Sequence, residues 1–349
     1  MDRVTEFLEI EFPNTEERAM LLGIATSPTD KTAKLVYADW LEDRSDPRGE
    51  YVRLLAEGKK LAPRGTKRLA TLRKKCSPAW LSVIGELHTE FADIKTRAEP
   101  QGRRRPKFRA TCDRGLWDIQ YSCDLMSADG PLVSVLAFLA RGDIAPVIRS
   151  IRLDVSGTAS GFMVLELKLL TKAKTGFAYL EALEIQGMGV TIGDSAALFP
   201  YEEGGQLAKI LALAPRLKSL IGPSAPNVAF CKGAGHPLEV LNVRAGAGTQ
   251  NFIRNLSRST RFPDLRELVY DDLDGDTFPD QGDWTPFGDF VAFLRSPAMA
   301  KVDKVQLTGI VATPAQIREL KKLRAKGLTV RRHPYAASAE DGADGEEYD

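Results

Sequence analysis

The sequence predicts an α/β protein: an irregular repeat solenoid, with a curved parallel sheet and outer helices, preceded by a small helical N-terminal domain and a β-hairpin connector. Three observations carry this reading. The spacing L-x-x-L-x-L recurs through the C-terminal half of the 349-residue chain. Between its copies the apolar period switches from two residues to roughly 3.6. From Asn14 to Lys75 the chain reads as successive helices. The implied boundaries are a helical domain over 1–75, a connector over 76–145 that caps the solenoid, the solenoid itself over 146–335, and a disordered acidic tail over 336–349.

In chain order, Asn14 followed by Glu17 resembles a capping box and starts a helix through Ala25; Pro28 and Asp30 separate it from the next helix. There, Ala33, Val36, Tyr37, Trp40 and Leu41 fall on one face, which makes Tyr37 and Trp40 core residues. Asp46 then caps, and Pro47 opens, a second helix whose buried stripe is Tyr51, Leu54 and Leu55. The pair forms an antiparallel hairpin, with Arg48 and Arg53 in reach of Asp39, Glu42 or Asp43.

The run LVYADWLEDRSDPRGEYVRL resembles the signature of the bacterial repeat-companion domain, a small N-terminal module that accompanies repeat proteins, often leucine-rich repeats. A weaker similarity continues at Pro78-Ala79-Trp80-Leu81 and from Phe108 to Trp117, where Leu116 replaces the family's usual aromatic. The resemblance implies a companion domain ahead of repeats. It implies no catalytic residue.

From Gly58 to Lys75 the chain is rich in Lys and Arg but keeps Leu61, Leu69 and Leu72, so a solvated basic helix is expected. Gln101 to Pro106 reads as an exposed loop. Alternation from Lys107 to Met126 predicts a β-hairpin turning at Asp113-Arg114-Gly115, with Phe108, Trp117, Ile119 and Tyr121 as packing residues. A short helix from Leu132 to Leu139 leads into the repeats.

L-x-x-L-x-L is the strand portion of a leucine-rich repeat, and it fits Ile148/Ile151/Leu153, Leu180/Leu183/Ile185, Leu238/Leu241/Val243, Leu265/Leu268/Tyr270 and Val302/Val305/Leu307. Leu217/Leu220 is a truncated copy with Gly222 at its third position. Successive copies start 32, 37, 21, 27 and 37 residues apart, and the usual closing Asn or Cys is missing, so the leucine-rich-repeat solenoid is irregular. Helical spacing separates the strands at Leu207/Ile210/Leu211/Ala214, Phe252/Ile253/Leu256, Phe290/Val291/Leu294 and Ile317/Leu320, the last capped by Thr313 and opened by Pro314. Leu328 and Val330 suggest a final short strand.

Composition narrows the function classes. Hydrophobic content is 43% and formal net charge is +1, so no global field selects nucleic acid or membrane. The charge is unevenly spread: residues 1–57 hold 7 bases and 13 acids, net −6, and residues 58–114 hold 16 bases and 5 acids, net +11. There is no long apolar run and no basic, apolar leader, which leads us to expect a cytoplasmic protein. Cys76, Cys112, Cys123 and Cys231 lack C-x-x-C spacing and are expected to be buried thiols.

Candidate chemistry is sparse. Asp272, Asp274, Asp276 and Asp283 occupy positions 1, 3, 5 and 12 of a calcium-loop template, but Thr277 stands where glycine is needed, so an exposed acidic insertion near Asp271 and Asp280 is expected, with no metal. Gly246-Ala247-Gly248-Thr249 lacks a P-loop lysine and reads as a small-residue turn. His88, His236 and His333 belong to no nucleophile motif, and His236 before Pro237 reads as a repeat-boundary residue. No enzyme activity and no cofactor are expected.

The expected function is therefore protein–protein interaction: binding of another protein, encoded in the same host, through the concave face of the solenoid, as an inhibitor, an adaptor or a component of a bacterial defence or signalling assembly. The outward positions are Arg152 and Asp154, Glu184 and Gln186, Asn242 and Arg244, Val269 and Asp271, and Gln306 and Thr308. The alternative is nucleic-acid binding by the basic 58–114 segment, through Lys67, Arg68, Arg73, Lys74 and Lys75 together with Arg103, Arg104, Arg105 and Lys107.

Overall fold

The N-terminal helices are placed by their caps. The computed structural model describes residues 3–57, 63–99, 107–124, 129–156, 167–186, 189–192, 195–198, 204–246, 248–274, 283–324 and 326–333. Helix α1 (Arg3–Glu11), which sequence periodicity did not reveal, precedes α2 (Thr15–Thr26), whose first backbone N–H groups donate to the Asn14 side chain. Asp30 caps α3 (Lys31–Glu42) in the same way, and Asp46 accepts from the Arg48 N–H at the start of α4 (Arg48–Glu57). Helices α5 (Pro63–Arg73), α6 (Pro78–Val83) and α7 (His88–Ala98) complete the helical part.

A buried polar network sets the phase of α3 and corrects two expectations. Glu17 does not turn back to close a capping box; its carboxylate points inward to the Tyr37 hydroxyl (2.7 Å) and the Arg48 guanidinium (2.8 Å), while Trp80 Nε1 donates to the same hydroxyl. Arg48 grips Asp46 with Nε and Nη2, rather than an acid of α3. Only Arg53 pairs with Asp39 and Glu42 as expected. With Tyr37 drawn in, the buried face of α3 is Tyr37, Ala38 and Leu41, and Val36 is left 54% exposed. Trp40 is half-buried on the flank, stacked on Tyr37 and covered by the Arg44 guanidinium at 3.9 Å. On α4 the buried pair is Tyr51 and Val52, with Leu54 and Leu55 half-buried.

Trp40→Ala is accordingly expected to cost about 1 to 2 kcal/mol, below the 3–5 typical of a fully buried ring. Urea titration measures it, and a loss above 4 kcal/mol would put the ring back in the core.

Strands β1 (Lys107–Asp113) and β2 (Leu116–Asp124) form the antiparallel hairpin turning at Arg114-Gly115. Gly115 has φ +102°, and a Cβ there would lie 2.6 Å from Val83 Cγ2, so glycine is required on both counts. Ser82 Oγ, which donates to the Gly115 carbonyl and accepts from Trp117 Nε1, ties the turn to α6. Helix α8 (Asp129–Leu139) follows.

The remaining strands are β3 (Ile148–Ser156), β4 (Ala182–Gln186), β5 (Gly189–Ile192), β6 (Ser195–Leu198), β7 (Ser219–Ile221), β8 (Val240–Gly246), β9 (Glu267–Asp274), β10 (Lys304–Ile310) and β11 (Leu328–Arg332). β5 and β6 pair only with each other; the other nine form one sheet in chain order, parallel throughout except for β1 against β2. Helices α9 (Gln206–Leu213), α10 (Phe252–Ser257), α11 (Phe287–Leu294) and α12 (Pro314–Leu323) alternate with the later strands, and Thr313 and Gln316 form a full capping box on α12. Between β3 and β4 the described element is a 3-10 turn, Leu167–Lys172.

The middle apolar residues of the L-x-x-L-x-L matches lie in one transverse row that starts at Ile119 of the hairpin: Ile119, Ile151, Leu183, Leu220, Leu241, Leu268 and Val305 are consecutive Cα partners, and each is at most 2% exposed. Helices cover this face, as Tyr270 shows by packing between Phe252 of α10 and Phe290 of α11. One continuous apolar cluster runs from Val4 to Leu320.

A second transverse row crosses the starts of the parallel strands. Arg149, Glu181, Lys218, Glu239, Arg266 and Asp303 are linked in that order, each N–H donating to the carbonyl of the residue before it in the series. Their signs alternate without exception. No helix among the described residues is long and apolar enough to cross a membrane.

Candidate interaction face

Because strand side chains alternate, the residues between the buried ladders point to the opposite, open face of the sheet. All ten outward positions read from the sequence lie there, and the pairings arrange them in rows. One row runs Arg109, Gln120, Arg152, Glu184, Ile221, Asn242, Val269, Gln306, Thr329. A second contains Asp154 beside Gln186 and, past the short β7, Arg244 beside Asp271 beside Thr308. A third, nearer the strand starts, runs Asp118, Ser150, Ala182, Ser219, Val240, Glu267, Lys304. Of the ten, Arg152 is exposed and the rest are half-buried.

The charges of this face are largely paired within the chain. Arg152 Nε donates to Asp154 at 3.1 Å and its Nη1 lies 3.7 Å from Glu184, while Gln120 and Ser122 donate to the other Asp154 oxygen. Arg149, the extra residue at a register shift between β2 and β3, turns to Asp118 and Asp113. These hydrogen bonds hold Asp118 and Asp154 below the usual carboxylate range, against the opposing effect of burial. Lys304 pairs with Glu267 at 2.6 Å on the other flank.

Between the flanks lies an apolar centre: Ala182, Ile221, Val240 and Val269, all half-buried. Of these the L-x-x-L-x-L reading named only Val269. Ile221 is hidden from that pattern because Gly222 truncates its copy, and Ala182 and Val240 because they lie one pleat before its outward positions; counting back two residues from Glu184 and Asn242 finds both.

A cleft of about 390 Å³ opens at the strand starts. Ala182, Ser219 and Val240 form its floor, and Asp118, Arg149, Glu181, Lys218, Glu239 and, from α1, Arg3 surround it. Three cations thus meet three carboxylates, in the pairs Arg3 with Glu181, Arg149 with Asp118 and Lys218 with Glu239.

The other candidates go elsewhere. Asp272 does not face an ion: it is fully buried, accepting from the Tyr270 hydroxyl (2.9 Å) and from Thr285 Oγ1 (2.7 Å), and burial pushes its pKa up to about 7. Asp283 accepts from the backbone N–H and hydroxyl of Thr249, so the turn before α10 holds a carboxylate of its own chain. Asp276, Thr277 and Asp280 lie outside the described residues, as do Ala247 and the 336–349 tail. Among the described residues, no group of three or more His, Cys, Asp or Glu is placed to hold a metal ion.

His236 is buried behind the sheet with Nε2 3.1 Å from the Ala214 carbonyl, His333 packs against Trp284, and His88 is exposed. All four cysteines are free; Cys123 and Cys231 are buried as expected, but Cys76 and Cys112 are only half-buried, with burial pushing both thiols up to about 11. In the basic segment, Arg68 is bound to Glu50 and Arg73 to Glu90, while Lys67, Lys74, Lys75 and Lys107 are exposed; Arg103, Arg104 and Arg105 lie outside the described residues.

The geometry thus defines an α/β chain whose nine-stranded, mostly parallel sheet is covered by helices on one face and open on the other. No family model, curated protein or solved structure matches it.

Proposed function

We propose that the chain is a non-catalytic binding module, an irregular leucine-rich-repeat-like solenoid headed by a helical companion domain, whose open sheet face recognises another protein. One observation carries this reading: the open face has an apolar centre, Ala182, Ile221, Val240 and Val269, between flanks whose charges are paired. Protein interfaces share that anatomy of an apolar core inside a polar rim. A phosphate groove requires unopposed cations instead. The free cysteines suit a reducing, cytoplasmic setting.

A partner recovered from the native host and identified by mass spectrometry provides the assay. Glu184→Arg combined with Arg244→Glu, checked for folding by circular dichroism, is expected to weaken its capture at least tenfold, because reversed charges meet like charges in the complex. Substituting Arg103, Arg104 and Arg105 is expected to leave capture unchanged. Sub-micromolar, salt-steep binding of RNA or DNA that this arginine triple variant abolishes would instead establish the nucleic-acid reading.

A further inference from the structure

We infer that the cleft at the strand starts seats one aromatic side chain with a polar edge, tyrosine or tryptophan, presented by the partner protein; this deepens, and rests on, the reading of the open face as a protein-binding surface. At about 390 Å³ the cleft is near the small end of ligand pockets, which run from roughly 300 to 1,000 Å³. That is ample for one large side chain and too little for a folded element.

Its chemistry selects the kind of side chain. Each wall cation already has a carboxylate, so the cleft has no net charge for an ionic guest to answer, and an acidic or basic side chain would have to break a pair to enter. The floor offers the methyl groups of Ala182 and Val240, with the Ser219 hydroxyl between them on the neighbouring strand. An aromatic ring buries apolar area on that floor, and a phenol or indole N–H finds hydroxyl and carboxylate acceptors around it. The half-exposed Lys218 ammonium can also lie against the ring face. Tyrosine and tryptophan are also the anchors on which binding energy concentrates at the centres of protein interfaces.

The test uses saturation-transfer NMR on the full chain with N-acetyltyrosinamide and N-acetyltryptophanamide as probes, and N-acetyllysinamide and N-acetylglutamate amide as charged comparisons. Saturable binding of the aromatic amides is expected, at least fivefold tighter than of the charged ones. Ala182→Trp and Ser219→Tyr, which fill the cleft from half-buried positions, are each expected to weaken it at least fivefold while melting like the wild type. Equal binding by wild type and variants, a preference for the charged amides, or no saturable binding would overturn the inference. The partner assay separates the two levels. If Glu184→Arg with Arg244→Glu releases the partner but Ala182→Trp and Ser219→Tyr hold it at wild-type affinity, the cleft inference fails and the reading of the open face stands. If none of these variants releases it, both fail.

Discussion

Leu241→Asp is expected to leave no folded protein at 25 °C. Leu241 is wholly buried in the middle of the transverse apolar row, with Leu220 and Leu268 as its partners on the two neighbouring strands. Deleting such a side chain costs about 2–5 kcal/mol before any charge is considered. The carboxylate that replaces it would lie among the buried side chains of Leu220, Leu268, Val243 and Tyr270, and an unpaired buried charge adds several kcal/mol more. The sum reaches the whole stability of a typical domain, about 5–15 kcal/mol. Leu183→Asp is expected to behave alike. Far-ultraviolet circular dichroism and a thermal scan decide the matter: wild-type-like melting of either variant would mean that the rows are wrongly registered.

Asp272→Asn is expected to stabilise the protein at pH 8 and to change little at pH 3.5. In the folded chain the Asp272 carboxyl titrates at about 7 because it is buried, whereas unfolded it titrates near its ordinary 3.8. A group whose folded pKa is raised favours folding fully below the unfolded value and loses that contribution as pH rises through the folded one. The loss therefore falls between about pH 4 and 7, and at 1.36 kcal/mol per pH unit it amounts to roughly 4 kcal/mol. Asparagine keeps an oxygen for Tyr270 and Thr285 without carrying charge. Urea titrations of both proteins across that interval should show the variant's advantage growing with pH and then levelling off. A constant difference would show that Asp272 is ionised throughout.

Much of the sheet was legible because burial leaves a periodic mark. The residues matched to L-x-x-L-x-L are the ones that lie side by side, from Ile151 to Val305, and the hairpin turn at Gly115 was announced by its flanking alternation. The caps at Asn14, Asp46 and Thr313 were legible for a similar reason, since each is a local side-chain contact to nearby backbone N–H groups. What escaped depends on distant partners. Nothing near Trp40 in sequence says that Tyr37, drawn inward by Glu17 and Trp80, rotates the helix and leaves Val36 outside. The ten outward residues followed from strand parity alone, but the apolar centre at Ala182, Ile221 and Val240 and the cleft beside it appear only when β4, β7 and β8 are set side by side.

The alternating row at the strand starts carries an implication for how such a chain can change length. In the series Arg149, Glu181, Lys218, Glu239, Arg266 and Asp303, every adjacent pair is of opposite sign. Excising the strand segment that bears Lys218 would seat Glu181 beside Glu239, and duplicating it would seat two lysines together, with like charges on adjacent strands opposing the pairing. Removing Lys218 and Glu239 together would bring Glu181 beside Arg266 and restore the order. A sheet lengthened or shortened in this way should therefore tolerate strands added or removed two at a time, so that parity, rather than number, is what the row constrains.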